Sequence, residues 1–80
     1  MDLFGYDVGF RDREEPESHR LGEITIGVRD VAELRRIAAF ITHAAEQLEL
    51  HGERFGHEHS RDWYVEWSDG SPDVVVARIP

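Results

Sequence analysis

Alternation of apolar and polar residues predicts four strands along this chain. Apolar residues alternate with polar residues or glycine over Phe4–Phe10, Glu23–Val28 and Trp63–Trp67, and mainly β-branched residues fill Val74–Ile79. Period-two alternation is typical of strands that bury one face. The polar stretches at Arg11–Arg20 and Glu53–Asp62, and the turn formers at 68–73, are then expected to be connections.

One long helix is predicted between the second and third strands, from Val31 to about Leu50. Asp30 can accept hydrogen bonds from the free amides of the first turn, and Glu33 completes a variant of the capping box. Gly52 is a natural left-handed terminator. The apolar residues at three- and four-residue steps, which we expect to face the core, are Val31, Leu34, Ile37, Ala38, Ile41, Ala45 and Leu48.

The element order ββαββ predicts an α+β fold in a single domain spanning residues 1–80. A helix between the second and third strands makes these two run parallel, so the first strand can lie between them and antiparallel to both. The expected architecture is a four-stranded antiparallel sheet in the order 2-1-3-4 with the helix packed on one face. The strand residues expected to meet the helix are Phe4, Tyr6, Val8, Phe10, Ile24, Ile26, Val28, Trp63, Val65 and Trp67.

Length and residue usage favour a small cytoplasmic protein. The chain has 80 residues and no cysteine, so disulfides and thiolate metal sites are excluded and a reducing compartment is favoured. Its N-terminal residues lack the pattern of a signal peptide, and no apolar run is long enough to suggest a membrane span. We therefore expect a cytoplasmic location.

The acidic charge limits the partners. Seventeen acidic against nine basic residues give a net charge of −8. Nucleic acids are bound through Lys and Arg, so an acidic chain is a poor candidate for that function. A basic protein is a better candidate partner, because opposite charge accelerates encounter. Solubility alone explains the charge equally well.

Candidate chemistry is sparse. His57 and His59 are two residues apart, which in an extended segment places both imidazoles on one side, as a metal site would need. Zinc takes four ligands, and the sequence does not fix the others, so a solvated loop is the favoured alternative. The serines Ser18, Ser60, Ser68 and Ser71 lie in predicted loops without a nucleophile-elbow context. We expect no cofactor and no enzymatic activity.

Two segments are candidates for binding a protein partner. Tyr64 points away from the predicted core, whereas Trp63 and Trp67 are expected to be buried. The connection Gly52–Asp62 carries the carboxylates of Glu53, Glu58 and Asp62, and loops on a rigid scaffold often hold recognition residues. A mobile acidic connector is the alternative for this stretch.

Three segments carry a resemblance to a known family. They are the helix segment Val31–Ile41, the step His57-Glu58-His59 before Asp62-Trp63, and the closing run Pro72–Val76. Together they resemble the immunity protein 32 family of bacterial polymorphic toxin systems, over roughly residues 21–79. The resemblance implies a non-enzymatic protein that binds and blocks a toxin in bacterial competition, and many such toxins are basic nucleases.

Other functions remain open at this point. One is a phage-borne inhibitor of a host defence complex, which is also expected to be small and acidic. Another is a metal-binding module built on His57 and His59. A third is a scaffold that forms a homodimer through the uncovered face of the sheet or the edge of its fourth strand.

Overall fold

The protein folds as one long helix accompanied by short strands and turns. The computed structural model describes residues 1–67 and 70–80. The α+β class is confirmed. The elements are β1 (Leu3–Gly5), β2 (His19–Leu21), α1 (Val31–His51), β3 (His57–His59), α2 (Ser60–Trp63) and β4 (Val75–Ala77). Single 3₁₀ turns form at Phe10–Asp12, Gly52–Arg54 and Val65–Trp67. The predicted turn at 68–73 includes residues 68 and 69, which lie outside the described residues.

The described strands form two separate antiparallel pairs. β1 pairs with β2, with Leu3 opposite Leu21, and β3 pairs with β4, with His59 opposite Val75. The expected four-stranded sheet in the order 2-1-3-4 is therefore not confirmed. The predicted second strand at Glu23–Val28 forms no strand, and β2 and β3 instead come from stretches predicted as connections.

Helix α1 begins and ends as predicted because its signals are local. The backbone amide of Glu33 donates to the Asp30 carboxylate at 2.8 Å, and the Glu33 carboxylate accepts from the amide of Arg29 at 2.8 Å. The second bond reaches one residue further back than in a standard capping box. Gly52 ends the helix with φ of 54° and donates its amide to Leu48.

The helix face that packs inward differs from the predicted one. Among the described residues, the buried apolar side chains are Phe40, Ala44, Phe55 and Trp67. The predicted inward stripe is wrong, because all its members except Ile37, which is half-buried, are exposed. Two of its members, Leu34 and Ile41, are both 48% exposed.

The segment Trp63–Trp67 is helical, so its prediction as a strand is wrong. Trp63 ends α2, and Val65–Trp67 forms a 3₁₀ turn. Residues four apart share a face both in a strand and on a helix, so five residues cannot distinguish the two periods. Both indoles still reach Phe40, at ring-centroid distances of 5.8 Å for Trp63 and 6.1 Å for Trp67. Trp67 is buried as predicted, and Trp63 is half-buried.

Most of the strand residues expected in the core are exposed. Without a single sheet beneath the helix, these side chains have no common surface to cover. Phe10 and Val28 are half-buried. The exposed ones are Phe4, Tyr6, Val8, Ile24, Ile26 and Val65. The radius of gyration is 13.6 Å, above the roughly 12 Å expected for a compact domain of this length. The chain thus leaves an unusual share of its apolar side chains uncovered.

Candidate functional site

A single carboxylate, that of Asp73, ties β3, α2 and β4 together. His59 Nδ1 donates to Asp73 Oδ2 at 2.5 Å. The Ser60 hydroxyl and the Arg61 amide donate to Asp73 Oδ1 at 3.1 and 3.2 Å. Because the Asp73 side chain is only 7% exposed, these donors replace most of its water. We call Asp73, His59, Ser60 and Arg61 the Asp73 hub.

The hub holds Asp73 in its charged form. Burial raises the pKa of Asp73, but hydrogen bonds from His59, from the backbone of Arg61 and from Ser60 outweigh that effect. The pKa therefore lies below its ordinary value of 3.8. The Arg61 guanidinium adds an ion pair, with Nε 3.7 Å from Asp73 Oδ2. That nitrogen is buried and has no hydrogen-bond partner among residues 1–67 and 70–80, so its contribution is electrostatic.

The hub contains Ser, His and Asp, but its geometry supports folding rather than acyl transfer. Ser60 is fully buried, and its hydroxyl donates to Asp73 and accepts from the amide of Val74 at 2.9 Å. A nucleophilic serine instead has to donate to the histidine and face the substrate. Here the hydroxyl joins the start of α2 to the residue before β4.

His59 and Arg61 of the hub also border an open cleft. The cleft has a volume of about 970 Å³, and residues 2–11 form its other side. His59 Nδ1 is hydrogen-bonded to Asp73, so Nε2 is the ring nitrogen that Asp73 does not engage. His57 lies beside it, with the two imidazole centroids 5.0 Å apart and nearly perpendicular.

The predicted pair His57 and His59 therefore does come together, on the same strand. Within residues 1–67 and 70–80, no group of three or more metal-binding side chains converges. Two imidazoles provide half of a tetrahedral zinc site. The carboxylate behind His59 is the kind of partner that orients metal-binding histidines, but here it also serves the hub.

A second cluster covers the side of α1 that faces α2. The ring of Trp63 stacks on His43 at 5.3 Å, and His43 Nε2 lies 3.7 Å from the Glu58 carboxylate. The guanidinium of Arg36 lies 5.2 Å from the centre of the Tyr64 ring. The Tyr64 hydroxyl donates to Glu66 at 3.0 Å.

This cluster presents carboxylates around two half-buried aromatic rings. We call it the Trp63 surface and define it as Glu58, Asp62, Trp63, Tyr64 and Glu66. Asp62 and Glu66 are exposed, and Glu58 is half-buried against His43. The Arg36 guanidinium and the His43 imidazole lie behind the aromatic rings, on α1.

Three of the four predicted partner-binding residues lie on this surface. Glu58, Asp62 and Tyr64 belong to it, whereas Glu53 lies in the 3₁₀ turn at the end of α1. No hydrogen bond or ion pair found in the described part of the chain joins Glu53 to the other three. The predicted loop Gly52–Asp62 is thus divided into a helix end and a folded aromatic–acidic surface.

Sequence reasoning missed Asp73, Arg36 and His43 as parts of these clusters. Arg36 and His43 are seven residues apart, which places them two turns apart on one side of α1. That spacing was a usable signal. The role of Asp73 has no local signal, because its donors lie more than ten residues earlier in the chain.

Comparison of the chain with protein-family models, curated proteins and solved structures finds no match. Among the described residues, none of the helices has the length and apolar character needed to cross a membrane. The resemblance to the immunity protein 32 family therefore stays a prediction.

Proposed function

We propose that the chain is a non-enzymatic, cytoplasmic inhibitor that binds a basic protein toxin, as an immunity protein does. The observation that carries this proposal is the Trp63 surface. Tyr and Trp are enriched at the centres of protein interfaces, where they contribute large contact areas at low entropic cost. Here they are surrounded by carboxylates on a chain with a net charge of −8.

The charges of this surface suit a cationic partner. Asp62 and Glu66 are exposed, so their charges accelerate encounter with a cationic partner. This attraction weakens as salt is added. Tyr64 is held from two sides, by Arg36 on its ring and by Glu66 on its hydroxyl. A pre-positioned aromatic side chain loses little freedom when a partner packs on it. The charges are then expected to raise the association rate, and the packed aromatic rings to lower the dissociation rate.

The Asp73 hub supports this proposal by giving the surface a rigid base. α2 carries Asp62 and Trp63, and the hub holds its first two residues through the Ser60 hydroxyl and the Arg61 amide. The hub geometry favours such a structural role, because the Ser60 hydroxyl is enclosed. The identification of the partner as a toxin rests on the sequence resemblance.

The test uses the toxin domain encoded beside this chain. Binding is measured by surface plasmon resonance at several salt concentrations for the double variant Asp62→Asn/Glu66→Gln. We expect an association rate about tenfold lower and a flatter salt dependence, because two steering charges are removed. Tyr64→Ala is expected to raise the dissociation rate instead.

The matched control is Asp12→Asn/Glu14→Gln, which makes the same charge change in the segment between β1 and β2. Equal kinetics for both double variants would show that the Trp63 surface is not the binding site. A neighbouring toxin that does not bind the unaltered chain at all would remove the proposed function itself.

A further inference from the structure

The exposed apolar side of α1 has the spacing of a two-helix seam. Its residues follow each other at alternating steps of three and four, with apolar residues at the a and d positions of a heptad. We call these six residues, all of which are exposed, the heptad seam: Val31, Leu34, Ala38, Ile41, Ala45 and Leu48. The seam is about 26 Å long, from a rise of about 1.5 Å per residue.

The seam lies away from the side of α1 that the domain itself covers. At 100° per residue, the buried or half-buried residues Arg36, Ile37, Phe40, His43 and Ala44 centre on a direction more than ~120° from the seam. A monomer therefore uses one side of α1 for its core and leaves the other uncovered. Exposure of 63% for Val31 and 48% for both Leu34 and Ile41 is unusual for an apolar heptad stripe.

We propose that a second copy of this chain covers the seam, with the two α1 helices antiparallel about a twofold axis. Side-chain volumes favour this direction. Antiparallel pairing places Leu34 opposite Ala45 and Ala38 opposite Ile41, so that each of these layers joins a large residue to a small one. Parallel pairing would place Ala38 and Ala45 opposite their own copies and leave two underfilled layers.

Charge complementarity favours the same direction. Arg35 and Glu49 both occupy the e position beside the seam, one near each end of α1. In the antiparallel pair, Arg35 of each copy lies near Glu49 of the other, because side chains lean toward the N-terminus of their own helix. A twofold axis forms this pair twice. Parallel helices would instead place each charge level with its own copy.

The area of the contact between the two α1 helices sets the expected affinity of the dimer. One seam across a single helix about 10 Å wide gives each copy less than the roughly 800 Å² per partner of a standard stable interface. The dimer is therefore expected to dissociate in the micromolar range. The Trp63 surface lies on the other side of α1, so both copies keep it free, and this inference does not depend on the proposed function.

Sedimentation velocity over low to high micromolar concentrations tests the dimer. The unaltered chain is expected to move from its 9.2 kDa monomer to twice that mass. Ile41→Glu places a carboxylate at the centre of the seam and is expected to weaken the dimer more than about 100-fold. Its circular dichroism should not change, because the side chain is half exposed. A monomer at all concentrations would overturn the proposal.

Charge reversal tests the direction. Arg35→Glu and Glu49→Arg each create two like-charged pairs and should weaken self-association about tenfold or more. An equimolar mixture of the two variants should form a heterodimer, because both pairs are then opposite in sign. Glu46→Arg, on the same helix outside the seam, is the control. Two variants that self-associate normally, or a mixture that fails to dimerise, would overturn the antiparallel arrangement.

Discussion

Replacing Asp73 by Asn tests the hub with almost no change in shape. The amide oxygen can still accept from Ser60 and from the Arg61 amide, but the charge that His59 and the Arg61 guanidinium face is lost. A hydrogen bond to a charged group contributes about 1.5–3 kcal/mol. Because the Asp73 side chain is only 7% exposed, solvent screens it little. We therefore expect the free energy of unfolding to fall by about 1.5–3 kcal/mol near neutral pH.

The pH dependence of this loss follows from the pKa of Asp73. That pKa is lowered in the folded chain below the ordinary 3.8. A carboxylate with a lowered pKa contributes stability that is fully present above its unfolded value and is lost as the pH falls through its folded value. The difference between the unaltered chain and Asp73→Asn should thus be present above about pH 5 and shrink as the pH falls below about 4.

Urea unfolding followed by tryptophan fluorescence at a series of pH values measures this difference. Trp67 is a suitable reporter because its indole donates at 2.8 Å to the carbonyl of Pro72, next to Asp73. Asp62→Asn is the control, since that side chain is exposed and lies one residue from the hub. An Asp73→Asn deficit of the same size at the acid end as at neutral pH would refute the electrostatic account of the hub.

Two further predictions concern α1. Phe40→Ala should lower the free energy of unfolding by about 3–5 kcal/mol, since its ring is fully buried against two tryptophans. Leu34→Ala should lower it by less than about 1 kcal/mol, because that side chain is exposed. Equal losses for the two variants in urea titrations at low protein concentration would contradict the observed helix face. Gly52→Ala should cost about 1–3 kcal/mol, because φ there is 54°. An added Cβ at residue 52 meets no neighbour, so the expected cost comes from the backbone conformation alone. An unchanged melting temperature would show that the backbone at residue 52 adopts another conformation at no cost.

The accuracy of sequence-based prediction here depends on how far apart the interacting residues lie. The ends of α1 were predictable because Asp30, Glu33 and Gly52 act within a few residues of the helix termini. The strand pairs were not, because β2 pairs through His19–Leu21, a short polar segment with no alternation. The Asp73 hub likewise depends on residues brought together only by the β3–β4 pairing.

The residues of the buried core were likewise only partly predictable from local sequence. Phe55 was not singled out, since it is an isolated apolar residue between polar neighbours, yet it is buried. Trp67 was assigned to the core correctly even though the strand expected to carry it is a 3₁₀ turn. A five-residue segment with tryptophans at both ends directs the same two side chains toward the core in either conformation.

The face of α1 was predicted wrongly because the helix has two apolar sides, and hydrophobic spacing does not tell which of them its own domain covers. The stripe from Val31 to Leu48 is more continuous, but the side with Phe40 holds the only phenylalanine, tyrosine or tryptophan of α1. A ring of that size fills the space between Trp63 and Trp67, which no residue of the stripe does. Four short strands cannot cover both sides. The spacing therefore identified an apolar surface but not what covers it, and the exposure of that surface in the single chain is the reason we propose a second copy on it.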